Sequence, residues 1–186
     1  GRDVLDIRAS IGDSAIYFAL RGAKHVYAFE VLPSTYRIAV ANVRNNGLED
    51  RITVFNAGLG RQRTIYLPED YYSDGGFSLK QGVEGNLPVQ IKSLNQVVEE
   101  LNIDSAVMKI DCEGCEYDVF DLESSEALNV FTHIIGEYHY GFVQLKKVLE
   151  TKGFSFSFSK PEPFYSPLNN PPYCYTGIFR AERTGE

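Results

Sequence analysis

Asp3-Val4-Leu5-Asp6-Ile7-Arg8-Ala9-Ser10-Ile11-Gly12-Asp13-Ser14-Ala15 is the stretch from which the rest of the chain is read. Val4, Leu5 and Ile7 form an apolar, partly β-branched run that predicts a buried strand, and Ala9, Ser10, Gly12 and Asp13 break it. From Ser14 onward Ala15, Ile16, Ala19 and Leu20 share one face at helical spacing, and Gly22 stands where a left-handed residue ends a helix. Strand, tight turn and helix aim backbone N–H groups beyond the strand's carboxyl end, the ligand crevice of an open α/β sheet. A nucleotide-like ligand fits there. The Gly-x-Gly-x-x-Gly dinucleotide fingerprint is not met, because Arg8, Ser10 and Asp13 occupy its glycine positions, so a nicotinamide oxidoreductase is only a third reading.

The next segments keep a βα rhythm. His25-Val26-Tyr27-Ala28-Phe29-Glu30 reads as a second strand, and an acid ending it, about 20 residues beyond the turn, is placed to accept ribose hydroxyls. Leu32-Pro33-Ser34 opens a helix with Tyr36, Val40 and Val43 on its apolar face, and Asn46-Gly47 closes it. Residues 51–57 read as a third strand, with the Asn56 amide at its end within reach of an adenine edge. Residues 58–92 lose the rhythm: Thr64 to Leu67 and Leu87 to Ile91 look like short strands around a Gly- and Tyr-rich loop, Asp70 to Phe77, which predicts an inserted hairpin or lid. Ser93 and Gln96 form a capping box for a helix carrying Leu94, Val97, Val98 and Leu101.

A second informative stretch follows: Ala106-Val107-Met108-Lys109-Ile110-Asp111-Cys112-Glu113-Gly114-Cys115-Glu116 is a buried strand ending in acids around a glycine, then a helix with Tyr117, Val119, Phe120 and Leu122. Lys109 lies within the strand, where its charge requires a structural partner. Glu116 is read as a helix N-terminal charge. Thr132 to His139 is a fifth strand ending in Glu137 and His139, and Gln144 to Lys152 a helix closed by Gly153. Phe154-Ser155-Phe156-Ser157-Phe158 alternates with period two, a turn-rich Pro and Asn link follows, and Tyr173 to Arg180 is the last strand, antiparallel to the one before it.

Asp6 and Gly12 resemble the first motif of the S-adenosylmethionine (SAM) methyltransferases, and Lys-Ile-Asp-x-Glu-Gly-x-Glu at 109–116 resembles the hallmark of their FkbM family. The resemblance runs from Val4 to about Phe179 and departs at Arg8, normally glycine, and at Asn95, normally aspartate. It implies a Rossmann-like, doubly wound α/β sheet, mostly parallel, of seven core strands ordered 3-2-1-4-5-7-6 with the last antiparallel. The cofactor it implies is SAM, held by Asp6, Arg8, Ser10, Gly12, Glu30, Asn56 and Asp111. The acceptor it implies is a hydroxyl of a small molecule or a sugar. Arg8 is expected either to swing outward toward the cofactor carboxylate or to close the site, leaving a catalytically silent binding or assembly domain.

For the chemistry, His139 is the candidate base, since an unperturbed imidazole titrates near neutrality. His25 and His133 sit at the other ends of strands and are set aside. Asp111, Glu113 and Glu137 converge with His139 on one rim, where they position the acceptor and orient His139, or hold a divalent cation; positioning without a metal is the preferred reading.

Bulk properties bound the partners. The 186 residues, 44% hydrophobic, suit a single domain over 1–186, one whose natural chain is expected to extend further at its N-terminus. A net charge of -7 without a basic run argues against nucleic acid and anionic membrane as partners. No apolar segment is long enough to span a bilayer, so a cytoplasmic protein is expected. Three cysteines suit a reducing compartment; Cys112 and Cys115 have redox-motif spacing, but with Cys174 and three histidines they make a poor zinc set. Oligomeric state is not legible.

Overall fold

A computed structural model describes residues 1–71, 84–121, 126–165 and 173–185. Strand β1 (Asp3–Ile7) is buried along its whole length, because both faces of the sheet are covered by helices. It pairs in parallel with β2 (Val26–Phe29) on one side and β7 (Ala106–Ile110) on the other. Strand β3 (Ile52–Phe55) extends one edge in parallel, and β8 (Phe131–Tyr138) continues the other. The 11-residue β11 (Tyr173–Arg183) runs antiparallel to β8 and carries β9 (Phe154–Phe158) and β10 (Glu162–Tyr165) along its far side. The path β3-β2-β1-β7-β8-β11-β9 is the expected order once the inserted strands are set apart.

Three further strands form a small second sheet. The predicted hairpin is present as β5 (Arg63–Leu67) antiparallel to β6 (Leu87–Lys92), and β4 (Ala57–Leu59) joins β6 in parallel. The third core strand therefore ends at Phe55, two residues earlier than the pattern predicts, since Asn56 turns the chain and Ala57 already belongs to the insertion. The loop between β5 and β6, 72–83, lies outside the described residues, as do Leu122 and most of the Pro- and Asn-rich link.

The helices pack by small contacts on one face and large ones on the other. Helix α1 (Asp13–Leu20) is too short to persist alone, and buries Ala15 and Ala19 against Val4, Val26 and Ala28. Helix α2 (Pro33–Asn45) buries Thr35, Ala39 and Val43; Val40, expected on its apolar face, is 40% exposed. Gly12 has φ 85, and a Cβ there would sit 3.4 Å from Ala39 of α2, so the turn into α1 suits glycine. On the opposite face α3 (Leu94–Glu100), α4 (Glu116–Val119) and α5 (Val143–Thr151) cover Leu5, Met108, Ile110, Ile134 and Phe179. Ser93 Oγ caps α3 by accepting from the Gln96 amide at 3.2 Å, one half of the predicted capping box, while the Gln96 side chain donates to Glu100 instead. Asn95 Oδ1 accepts the Ala127 amide, a bond an amide makes as readily as an acid. Among the described residues no helix is long and apolar enough to cross a membrane.

Candidate functional site

The turn after β1 is wound by three left-handed residues, Arg8 (φ 62), Ser10 (φ 50) and Gly12 (φ 85). Two of them are not glycine, at a cost of order 1 kcal/mol each, so the surroundings must hold them. Asp6 does this from beneath: its buried carboxylate accepts from Ser14 Oγ at 2.6 Å and pairs with Lys109 Nζ at 3.3 Å, while Lys109 also donates to the Arg8 carbonyl at 2.9 Å. Burial raises the Asp6 pKa despite the opposing ammonium. Lys109 thus has the structural partner expected of it. Asp6, expected to touch the cofactor, faces Ser14 and Lys109 with no exposed surface and shapes the turn instead.

At the end of β2 Glu30 is also buried. Its two oxygens accept the Ser10 amide at 2.9 Å and the Leu32 amide at 2.8 Å. Burial raises its pKa, against those amides and the Arg8 charge. Each oxygen retains a second lone pair, the only capacity it has left for a ligand hydroxyl. Asn56 spends its amide NH2 on the carbonyls of Glu30 and Val31, tying the ends of β2 and β3 together rather than standing free.

An open cleft crosses these strand ends. Ile7 and Arg8, Phe29 and Val31, the three residues of β4, and Cys112 with Cys115 line it. Its walls are apolar except for Arg8, whose guanidinium reaches across to Glu113 at 3.0 Å and Asp111 at 3.8 Å. The two cysteines are joined in a disulfide, and the third, Cys174, is a buried thiol outside it that donates to the Phe164 carbonyl. This corrects the expectation of unpaired thiols: the Glu113-Gly114 turn brings the two Cα atoms to 5.4 Å, within bridging range.

The rim beyond the cleft gathers the predicted acids. His139 Nε2 lies 3.3 Å from Glu113 and 3.9 Å from Asp111, and Asp111, Glu137 and His139 each offer a metal-ligating atom within 4.8 Å of the others. Glu116 stands in the first turn of α4, as expected of a helix N-terminal charge, and does more there. It is wholly buried, accepts the Cys112 amide at 3.0 Å and meets His139 Nδ1 at 2.9 Å, so it fixes the imidazole. The one signal for it was its place four residues after Cys112 in the acid-rich motif. Tyr117 fixes the loop carrying His139 by donating to the Gly141 carbonyl and accepting the Tyr140 amide; burial pushes its phenol pKa up.

Electrostatics correct the expected base. Burial alone would lower the His139 pKa, but the Glu113 and Glu116 carboxylates overcome it and push it up to about 10. The shift favours the imidazolium at neutral pH, the form with no lone pair for a proton. Burial and the neighbouring Asp111 charge raise the Glu137 pKa instead. Glu113 is lowered: His139 and Arg8 outweigh the opposing effect of its burial.

The sequence profile described as the methyltransferase FkbM domain matches residues 6–156. The chain belongs to this family. In this FkbM domain the hallmark acids, Asp111, Glu113 and Glu116, are those that surround His139. Among curated proteins it is similar to ribosomal protein L11 methyltransferase of Carboxydothermus hydrogenoformans, 39% identical over 59 residues, which are 32% of this chain and 19% of that protein. Among solved structures, Sp1610 of Streptococcus pneumoniae in complex with SAM superposes over the whole chain and 68% of its own (TM-score 0.56, 18% identity). TrmK of M. capricolum in complex with S-adenosyl-homocysteine (SAH) covers 98% of this chain and 62% of its own (TM-score 0.50, 14% identity). The fold is that of these two solved structures.

Proposed function

We propose that this FkbM domain binds SAM in the cleft and transfers its methyl group to a hydroxyl oxygen of a small molecule or sugar. The observation that carries the reading is the meeting of an open apolar cleft with a rim of one imidazolium and several carboxylates, all at the carboxyl ends of β1, β2, β7 and β8. The residues fit the cofactor: Phe29, Val31 and β4 offer apolar walls for a flat ring and Arg8 a cation for an amino-acid carboxylate, while Glu30, buried beside the cleft at the end of β2, keeps one lone pair on each oxygen for a ribose hydroxyl. Ser10 and Gly12 wind the turn beside it. When bound, SAM supplies an electrophilic methyl on a sulfonium.

Everything else falls to the protein's own groups. An in-line displacement needs the acceptor oxygen held at near-attack distance and its proton removed. His139, its two ring nitrogens on Glu116 and Glu113, supplies positive charge beside Asp111, which orients the acceptor. Glu137, a carboxylate made more basic by burial and like charge, takes the proton. A Glu137→Gln variant is expected to lose about 10²- to 10⁴-fold in kcat while its SAM affinity is unchanged. The acidic chain disfavours a polyanionic acceptor, and a cytoplasmic location stays a proposal that the disulfide does not favour.

The competing reading, a silent domain, rests on Arg8 standing in the cleft. Calorimetry with SAM and SAH separates the two: the wild-type chain binds, and Arg8→Gly weakens binding about tenfold by removing a charged hydrogen bond. Binding seen only in Arg8→Gly would place the silent reading first. A scan of hydroxylated small molecules and sugars for SAH release then identifies the acceptor, and chelator treatment tests the divalent-cation role: unchanged turnover keeps Asp111, Glu137 and His139 as positioning groups.

A further inference from the structure

Cys112 and Cys115 belong to none of the chemistry described above, yet they line the same cleft. Both are half-buried and line the cleft, which is the route by which a small thiol would approach them. Between them Glu113 has φ 56 and Gly114 φ 104, two successive left-handed residues, the first of them costly for a side chain. Besides the disulfide, the turn is held by a long 3.4 Å bond from the Cys115 amide to the Cys112 carbonyl and by the Cys112 amide on Glu116. Glu113 carries the contacts that matter. Its carboxylate meets Arg8 at 3.0 Å on the cleft side and His139 at 3.3 Å on the rim side.

We propose that Cys112 and Cys115 form a thiol–disulfide exchange site, open to dithiol reductants, whose oxidised state locks Glu113 onto Arg8 and His139 and so sets how tightly the cleft takes its cofactor. The consequence for cofactor binding rests on the reading of the cleft as the SAM site. In the exchange a reductant thiolate attacks one sulfur, the Cys112–Cys115 bond breaks, and a mixed disulfide forms. The reductant's second thiolate displaces the remaining cysteine. The protein gains two electrons and two protons as two thiols, and the dithiol leaves as a cyclic disulfide. Without the bridge the turn relaxes out of its left-handed geometry, and Glu113 releases its partners. Linkage makes the effect reciprocal: a ligand bound more tightly by the oxidised form protects the bridge from reduction.

The test uses the native chain with dithiothreitol as reductant and SAH as the ligand probe. Iodoacetamide followed by mass measurement should add two groups to the reduced protein and none to the oxidised one, with buried Cys174 unreactive in both. The imidazole NMR signals of His139 should move on reduction and return on reoxidation. SAH affinity should fall about tenfold on reduction, a loss of preorganisation, and saturating SAH should slow reduction. A Cys115→Ser variant should behave as the reduced protein with or without dithiothreitol. A bridge that resists dithiothreitol overturns the proposal, as does one that opens while His139 signals and SAH affinity stay constant. If neither redox state binds SAH, the cofactor reading fails, and the exchange site stands or falls on the thiol count and the His139 signals.

Discussion

Lys109 shows how one side chain serves two purposes in this molecule. Its ammonium neutralises buried Asp6 and caps the carbonyl of left-handed Arg8, so the charge and the turn depend on the same group. A Lys109→Met variant strands the Asp6 carboxylate without its cation and is expected to lose about 3–5 kcal/mol in urea denaturation. His139 gives a pH signature. Its folded pKa of about 10 lies above the ordinary 6.5, so its contribution to stability is complete below pH 6.5 and is lost as pH rises through 10. Denaturation of wild type and His139→Gln should differ most near pH 6 and converge above pH 10. Lys109 was legible because a charge in a buried strand must find a partner. The charge on His139 was not, since it depends on the closeness of Glu113 and Glu116, which no spacing along the chain reveals.

At the scale of elements, the strands and helices that cover a core announced themselves by period. The alternating run 154–158 and the apolar run 106–110 became β9 and β7 with the expected partners. Two strands did not. β10 is exposed along both faces, so it has no alternation to read, and β4 is three residues long and separated from β3 by Asn56 alone. The junction of β8 with its neighbours offers a sharper test. A Cβ on Gly136 would stand 2.5 Å from the Ile110 carbonyl oxygen of β7 and 2.7 Å from the Phe179 ring of β11. Backbone cannot yield there without parting the strands. Gly136→Ala is expected to cost about 1–3 kcal/mol or more, read as a lower denaturation midpoint.

For the whole molecule, the cleft links ligand to fold. A ligand that binds only the folded chain, present at about 100 times its Kd, adds about 2.7 kcal/mol to stability. For a chain of this size that raises the Tm by roughly 5–10 °C, each kcal/mol being worth about 2–4 °C. SAH in a thermal melt should produce that rise, and Glu137→Gln should keep it, because Glu137 does not line the cleft.

The contacts that make the site reach far along the chain: Lys109 grips Arg8 across 101 positions, and Glu113 meets Arg8 across 105. A nascent chain that has produced only β1, α1 and β2 therefore carries the turn sequence without the means to hold its left-handed residues. Loop closure over such a span is slow and comes before its reward. The cleft is thus born in one step, when β7 slots beside β1, and a fragment ending before residue 106 should neither fold its turn nor retain a ligand.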